Sequence, residues 1–382
     1  MSQQNERQRT FLIGLETRGQ SAEWTAAESL DELARLVDTA GGIVVGRTFQ
    51  TRDKPDGATY IGRGKAEEMV STVQDKGIDL IVFDGELSPV QQRNLEDIIQ
   101  CAVIDRTTVI LDIFALRART REAKLQVELA QLNYMLPRMT GKGAELSRLG
   151  GGIGTRGPGE TKLEVDRRKI RDRIAAVKKE LTEVQAHRAR MRRNRANQPL
   201  PVVALTGYTN AGKSTLHRAL AGSEVLAEDR LFATLDATTR RVEPPLGEPY
   251  LLVDTVGFIH KLPTFLVAAF RSTLEEVKEA DLLLHVVDAS HPKRGEQMQT
   301  VQAVLDEMEA GDKPVLFVYN KSDLANAADD ILHASHTANY VAVSALTGEN
   351  IDTLQQAIQQ ALSARRVTVE VTIPFEKTEW VS

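Results

Sequence analysis

A lysine and a serine behind a glycine carry the first chemistry legible in this chain: Gly207-Tyr208-Thr209-Asn210-Ala211-Gly212-Lys213-Ser214. The spacing fits G-x-x-x-x-G-K-[ST], a phosphate-binding loop. Gly207 and Gly212 let the backbone approach the phosphates, and successive N–H groups then point inward. Lys213 would place its charge on the β- and γ-phosphates, and the Ser214 hydroxyl would ligate Mg²⁺.

Asp254-Thr255-Val256-Gly257 is a D-x-x-G sequence closing the apolar run Leu251-Leu252-Val253. Asp254 suits a magnesium carboxylate acting through a water, and the Gly257 N–H suits the γ-phosphate. Only a triphosphate offers that group, so the contact can sense hydrolysis. Asn320-Lys321-Ser322-Asp323 decides the base. The Asp323 carboxylate can accept from the guanine ring N–H and its exocyclic amine. Adenine lacks that donor pair and would leave a buried acceptor unpaired. Ser344-Ala345-Leu346 would support the base through a backbone N–H. The ordered series means a guanine nucleotide, magnesium, hydrolysis to GDP and phosphate, and two mobile loops.

The switch threonine has three candidates, Thr234, Thr238 and Thr239. Phe258 follows Gly257, where Ras-like GTPases carry a water-orienting Gln. An aromatic ring cannot orient water by hydrogen bonding, so slow intrinsic hydrolysis and outside help are expected. The ring could equally pack beneath the switch. Asn210 either favours a turn or helps hold K⁺ beside the phosphates, as an Asn does in similar GTPases.

These motifs need a sheet to hold them. Pro201–Leu205, Leu251–Asp254, Val315–Tyr319 and Tyr340–Val343 read as strands leading into motifs, with helices between them. Expected helices include 265–279, 296–310 and 351–365. The expected fold class is α/β, a P-loop GTPase domain with a doubly wound, mostly parallel sheet. It is preceded by a small α/β domain and a long helical hairpin. The expected bounds are 8–112 for the first domain, 113–198 for the hairpin and 199–366 for the GTPase domain. A short or truncated tail, 367–382, follows.

The hairpin carries a distinct charge. Residues 113–198 hold 21 Lys+Arg against 9 Asp+Glu, a net of +12, while the remainder holds 27 against 44, a net of −17. Its tip, 150–159, has six glycines and a proline. Arg156 within that tip, and Arg148 and Lys162 beside it, are RNA-contact candidates. A solvated, charged coiled-coil face is the alternative. Pro137 should break or kink the first leg.

The single cysteine, Cys101, excludes an internal disulfide and fits a reducing, cytoplasmic compartment. No apolar run of about eighteen residues exists, so no transmembrane helix is expected. The start lacks a signal-peptide core, and no zinc-ligand spacing occurs among the seven histidines. A monomer is expected.

With these residues in view, the chain resembles the HflX family of ribosome-associated GTPases. The match runs from about Phe11 to Arg365 and is most specific at the Gly-rich tip continuing into Glu160-Thr161-Lys162-Leu163-Glu164. The family's switch I resembles Phe232-Ala233-Thr234-Leu235-Asp236, which places the magnesium threonine at Thr234. The resemblance implies binding to the large ribosomal subunit through the N-terminal region and the hairpin tip. It implies ribosome-stimulated hydrolysis, splitting or rescue of stalled ribosomes, and in some members ATP hydrolysis. Many members also carry a further C-terminal domain. The alternative is a regulatory GTP switch that docks a protein or a free RNA through the basic hairpin.

Overall fold

The computed structural model describes residues 7–18, 24–139, 162–195, 200–222, 231–263, 265–266, 276–324 and 340–364. Four strands, β1 (Arg9–Thr17), β2 (Ile43–Arg52), β3 (Leu80–Phe83) and β4 (Ala102–Asp105), form a first sheet in the order β2-β1-β3-β4. All three pairings are parallel. Helices α1 (Ala26–Ala40), α2 (Arg63–Lys76) and α3 (Pro89–Ile99) make the crossovers. The sequence sets their ends. Thr25 with Glu28, and Ser88 with Gln91, form reciprocal capping boxes that satisfy the first free N–H groups of α1 and α3. Gly41 and Gly77 close α1 and α2 in the left-handed region.

Helix α4 (Arg106–Arg117) carries the chain across residue 112 without a break. After a two-residue corner and an N-cap at Thr120, α5 (Arg121–Arg138) begins. It ends one residue after Pro137, which lacks the N–H for its hydrogen bond in the last turn. Helix α6 (Lys162–Arg195) returns alongside it. Leu125, Val177 and Leu181 are buried in the seam, with Leu129, Leu132 and Val184 packed against them. Arg173 donates to both carboxylate oxygens of Glu128, at 2.6 and 2.8 Å, fixing the register of the pair. The Gly-rich tip with Arg148 and Arg156, the tail 367–382 and the Lys162 side chain lie outside the described residues.

The second sheet has six strands: β5 (Val202–Gly207), β6 (Thr238–Val242), β7 (Tyr250–Asp254), β8 (Leu282–Asp288), β9 (Val315–Asn320) and β10 (Tyr340–Ala342). Their order is β10-β9-β8-β5-β7-β6. Only β6, at the edge, runs antiparallel to its neighbour. The central strands are buried along nearly their whole length, as parallel strands covered on both faces must be. Helices α7 (Lys213–Ala221), α8 (Arg294–Glu307) and α9 (Ile351–Ser363) complete the described part of this unit. Of the helix expected at 265–279, only 265–266 and 276–279 are described, and both stretches are helical. The order of the sheet reverses at β5, so the crevice for a ligand opens at that strand's carboxyl end.

The two sheets share a core. Leu12, Leu33, Val109 and Phe114 of the first unit pack in one buried cluster with Tyr208, Phe232 and Phe258 of the second. The residues that follow β5 and β7 are therefore held from two sides.

Candidate functional site

The phosphate loop leaves β5 at Gly207, whose φ is 144°. A Cβ there would lie 2.3 Å from the Val286 carbonyl oxygen. Gly212, with φ of 93°, would place a Cβ 2.1 Å from Asn320 Nδ2. Neither position accepts a side chain, so the two invariant letters of the motif follow from close backbone approach. Helix α7 begins at Lys213, which points its N-terminal N–H groups into the crevice.

The Lys213 ammonium is buried and donates to the carbonyls of Gly207 and Tyr208, at 3.1 and 2.7 Å. Burial pulls its pKa down to about 8, against the pull of the Asp254 carboxylate. A phosphate beside it would restore the charged form. A Cβ on Gly257 would fall 2.8 Å from Lys213 Nζ and 2.7 Å from Thr209 Cα. The Gly257 backbone thus lies directly over the lysine.

Three oxygens converge next to it. Ser214 Oγ lies 2.6 Å from Thr234 Oγ1 and donates to Asp254 Oδ2 at 2.7 Å. Thr234 Oγ1 donates to the same Oδ2 at 2.9 Å. Asp254 is 3% exposed, yet its Oδ1 has no partner among the described residues. Two hydroxyls and one carboxylate, itself with an orphaned oxygen, suit a hard divalent cation that demands oxygen ligands. The residues therefore fit Mg²⁺. Of the three switch threonines considered, Thr234 is the one in this cluster, while Thr238 and Thr239 enter β6 and are exposed.

Around that cluster, switch I is fastened. The Phe232 N–H donates to Thr209 Oγ1 at 2.9 Å. Phe232 meets the Phe114 ring edge-to-face, with centroids 4.8 Å apart. Leu235 is buried in the shared core. Asp236 turns its carboxylate away from the phosphate loop, toward the N–H groups of Arg119 and Thr120 at 2.8 and 3.1 Å. Ala233 is exposed at the mouth. Phe258 is zipped to the phosphate loop by its backbone. Thr209 N–H donates to its carbonyl at 2.7 Å, and its own N–H donates to the Gly207 carbonyl at 3.2 Å. The ring is 1% exposed and points into the shared core. Val256 is buried in that core, and the Thr255 hydroxyl donates to the Leu205 carbonyl at 2.6 Å.

At the base end, Asn320 ties the motifs together. Its Nδ2 donates to the Ala211 carbonyl and its Oδ1 accepts from the Ala345 N–H, each at 2.9 Å. Lys321, with φ of 67°, donates to Asp288 at 2.6 Å. Ser344 is buried and accepts from the Thr347 N–H at 3.2 Å. Asp323 is exposed, with Ser322 before it in the chain, and Leu346 is 80% exposed. Asn210 sits at the opposite lip in the left-handed region, with φ of 62°.

Residue types alone did not single out a second cluster behind the phosphate loop. The Tyr208 hydroxyl donates to Glu32 and accepts from the His260 N–H at 2.7 Å. Arg106 pairs with Glu32 and, at 2.8 Å, with Asp84. Lys261 pairs with Asp84 and donates to Ser29 at 3.0 Å. Trp24 stacks on His260, with centroids 4.9 Å apart. Burial raises the Glu32 carboxyl against the pull of Arg106 and Tyr208. Burial opposes ionisation of Asp84 too, but Arg106 and Lys261 hold it below the usual carboxylate range. Two carboxylates thus face two cations, joining the first unit to the phosphate loop and to the segment after Gly257. The available signal was charge bounding apolar runs: Asp84 after Leu80–Phe83, and Arg106 before Val109–Phe114.

Sequence comparison places this geometry in a lineage. Residues 27–115 match the family described as GTP-binding GTPase N-terminal, 117–195 its middle region, 202–321 the 50S ribosome-binding GTPase and 330–382 the HflX C-terminal domain. GTPase HflX of Alkalihalophilus pseudofirmus is 49% identical over 359 residues, covering 94% of this chain and 84% of that protein. The chain belongs to the HflX family of GTPases. GTPase HflX of Escherichia coli is 44% identical over 350 residues, covering 91% of this chain and 82% of its own length. Among solved structures, SsGBP in complex with GDP superposes with a TM-score of 0.50 at 25% identity, covering 93% of this chain and 99% of that one. As an HflX family member with this P-loop fold, the chain is a GTP hydrolase carrying a ribosome-binding GTPase domain. The match at 330–382 takes in the tail expected to be short or truncated. No helix among the described residues is long and apolar enough to cross a membrane.

Proposed function

We propose that this GTPase acts on the large ribosomal subunit to split or rescue stalled ribosomes, with hydrolysis stimulated by that subunit. The observation that carries the reading is the convergence of Ser214, Thr234 and Asp254, with the intervening switch clamped against the N-terminal unit and the base of the hairpin. A switch held by the same elements that would meet the ribosome can pass information both ways.

Ser214, Thr234 and Asp254 would hold Mg²⁺, which when bound neutralises charge on the β- and γ-phosphates. Lys213 places its ammonium on those phosphates, and the Gly257 N–H contacts the γ-phosphate. The loop 207–214 wraps the phosphates, Asp323 reads guanine, and Ala345 with Asn320 braces the base. With Phe258 in the core, this chain supplies no side chain at that point to orient the attacking water. Positioning from outside then raises the rate. Asn210, at the lip of the loop, would add a K⁺ contact. Equal turnover in K⁺ and Na⁺ would remove that part.

GTP turnover measured with and without purified large subunits tests the reading, with Arg148, Arg156 and Lys162 changed to Ala in parallel. Strong stimulation that the triple variant loses supports it. Gradient profiles of intact ribosomes incubated with protein and GTP test splitting directly. Flat turnover together with binding to free RNA or protein favours the second reading, a regulatory switch, which the charged residues along α5 and α6 also suit.

A further inference from the structure

Thr234 has to reach the magnesium site and withdraw from it, so the contacts that fix its position decide the rate. The structure shows what lies two residues beyond. Asp236 Oδ2 accepts from the N–H groups of Arg119 and Thr120, and Oδ1 accepts from the Thr120 hydroxyl. Thr120 is also the N-cap of α5, its hydroxyl accepting from the Ala123 N–H at 3.1 Å. A carboxylate on a helix N-terminus is favoured both by its charge and by the unpaired N–H groups there.

The placement matters more than the contact itself. Two residues of chain span at most about 7 Å, so a shift of Asp236 is felt at Thr234. On the other side, Phe232 is held by Phe114 of α4. Both attachments of switch I therefore lie on the same corner, the end of α4 and the start of α5. Helix α5 is one leg of the basic hairpin. A swing of that leg moves the corner, and with it the segment that carries the Thr234 hydroxyl.

We propose that Asp236 is a positioning residue for hydrolysis: by fastening switch I to the N-terminus of α5, it makes the angle of the hairpin set the seating of Thr234. The proposal rests on the magnesium role assigned to Thr234 above. It places Asp236 in the GTP state alone, because a diphosphate complex needs no closed switch I.

The test compares Asp236→Ala, Asp236→Asn, Thr120→Val, Thr120→Ser and Thr234→Ala in the full chain. The readings are kcat and KM for GTP, GDP affinity, and the Mg²⁺ concentration for half-maximal turnover. Expected is a drop of about tenfold in kcat for Asp236→Ala and Thr120→Val, with GDP affinity within about twofold of the parent. Half-maximal Mg²⁺ should rise for GTP turnover and stay put for GDP binding. Thr120→Ser keeps its hydroxyl and should keep its rate. The double variant Asp236→Ala/Thr120→Val should be no worse than the weaker single, as expected of two partners in one contact. Unchanged kcat in both singles, with Thr234→Ala impaired, overturns the latch while sparing the role of Thr234. Equal losses of kcat and GDP affinity also overturn it, since they signal general damage. Unchanged turnover in Thr234→Ala removes the magnesium reading and the latch with it.

Discussion

Tyr208 and Glu32 lie 176 residues apart, and the hydroxyl of one donates to the buried carboxylate of the other. Tyr208 belongs to the phosphate loop by sequence, yet its side chain serves the boundary between the two sheets. Behind it, Arg106 is 2% exposed and balances Glu32 and Asp84 together. Arg106→Met would leave the buried Glu32 carboxylate without a cation and Asp84 with Lys261 alone. Removing one partner of a buried ion pair costs about 3–5 kcal/mol, and urea unfolding should show a loss of that order. Tyr208→Phe takes a partner from one acceptor, the Glu32 oxygen, and one donor, the His260 N–H, at about 1–3 kcal/mol for each left unsatisfied. It should leave GDP affinity near that of the parent. A fall in affinity as large as that of Lys213→Ala would contradict this division of labour.

Phe258 makes the second prediction. With its ring in the core, Phe258→Gln does not hand water a new partner; it buries an amide and opens a cavity. A large-to-small change at such a site costs about 3–5 kcal/mol. Melting should occur several degrees lower, and GTP turnover should not rise. A variant that hydrolyses faster with an unchanged melting point would show that the side chain swings out to the γ-phosphate.

What could be read in advance divides along physical lines. The phosphate loop and Asp254 were legible because strand, turn and helix follow one another within a few residues, and close packing leaves no alternative to Gly207 and Gly212. The small α/β domain ahead of the GTPase domain was legible as a class through apolar runs such as Leu80–Phe83. Phe258 was readable two ways, since an apolar letter does not reveal which core it enters. Asp236 reads as part of the switch I segment only through the family resemblance. Its carboxylate meets Thr120, a partner 116 residues away that no local pattern could supply. The pairing of Lys261 with Asp84 spans 177 residues and was hidden for the same reason.

Acid should loosen the boundary between the units. His260 lies beneath Trp24, and burial, with Lys261 and Arg106 nearby, pushes its pKa down to about 4. Burial and Lys213 push His285 down to about 4 as well. Both are neutral in the fold, whereas an unfolded histidine takes up a proton near pH 6.5. The unfolded chain therefore binds more protons between about pH 6.5 and 4, so stability falls as pH drops through that window. Melting curves from pH 8 to pH 4.5 should show the decline begin near pH 6.5, and His260→Gln should make it shallower. A profile flat down to pH 5 would mean that neither ring is kept neutral.

The last prediction concerns the base. Asn320 is locked between Ala211 and Ala345, so the residue that starts the loop presenting Asp323 is held from two sides. Discrimination then rests on the Asp323 carboxylate, which only accepts. Asp323→Asn exchanges one accepting oxygen for a donating amide. Guanine keeps its two donors and meets one donor in place of an acceptor. Xanthine carries a carbonyl where guanine has its amine, and matches the new pattern. Leaving a polar group unpaired in such a site can cost several orders of magnitude in selectivity, up to about 10⁴–10⁵. Competition binding with GDP and xanthosine diphosphate should therefore show the preference reversed in Asp323→Asn. The exposure of Asp323 limits the size of the effect, because water can partly satisfy the mismatched group. Retention of the parent's GDP preference would mean that Asp323 does not face the base.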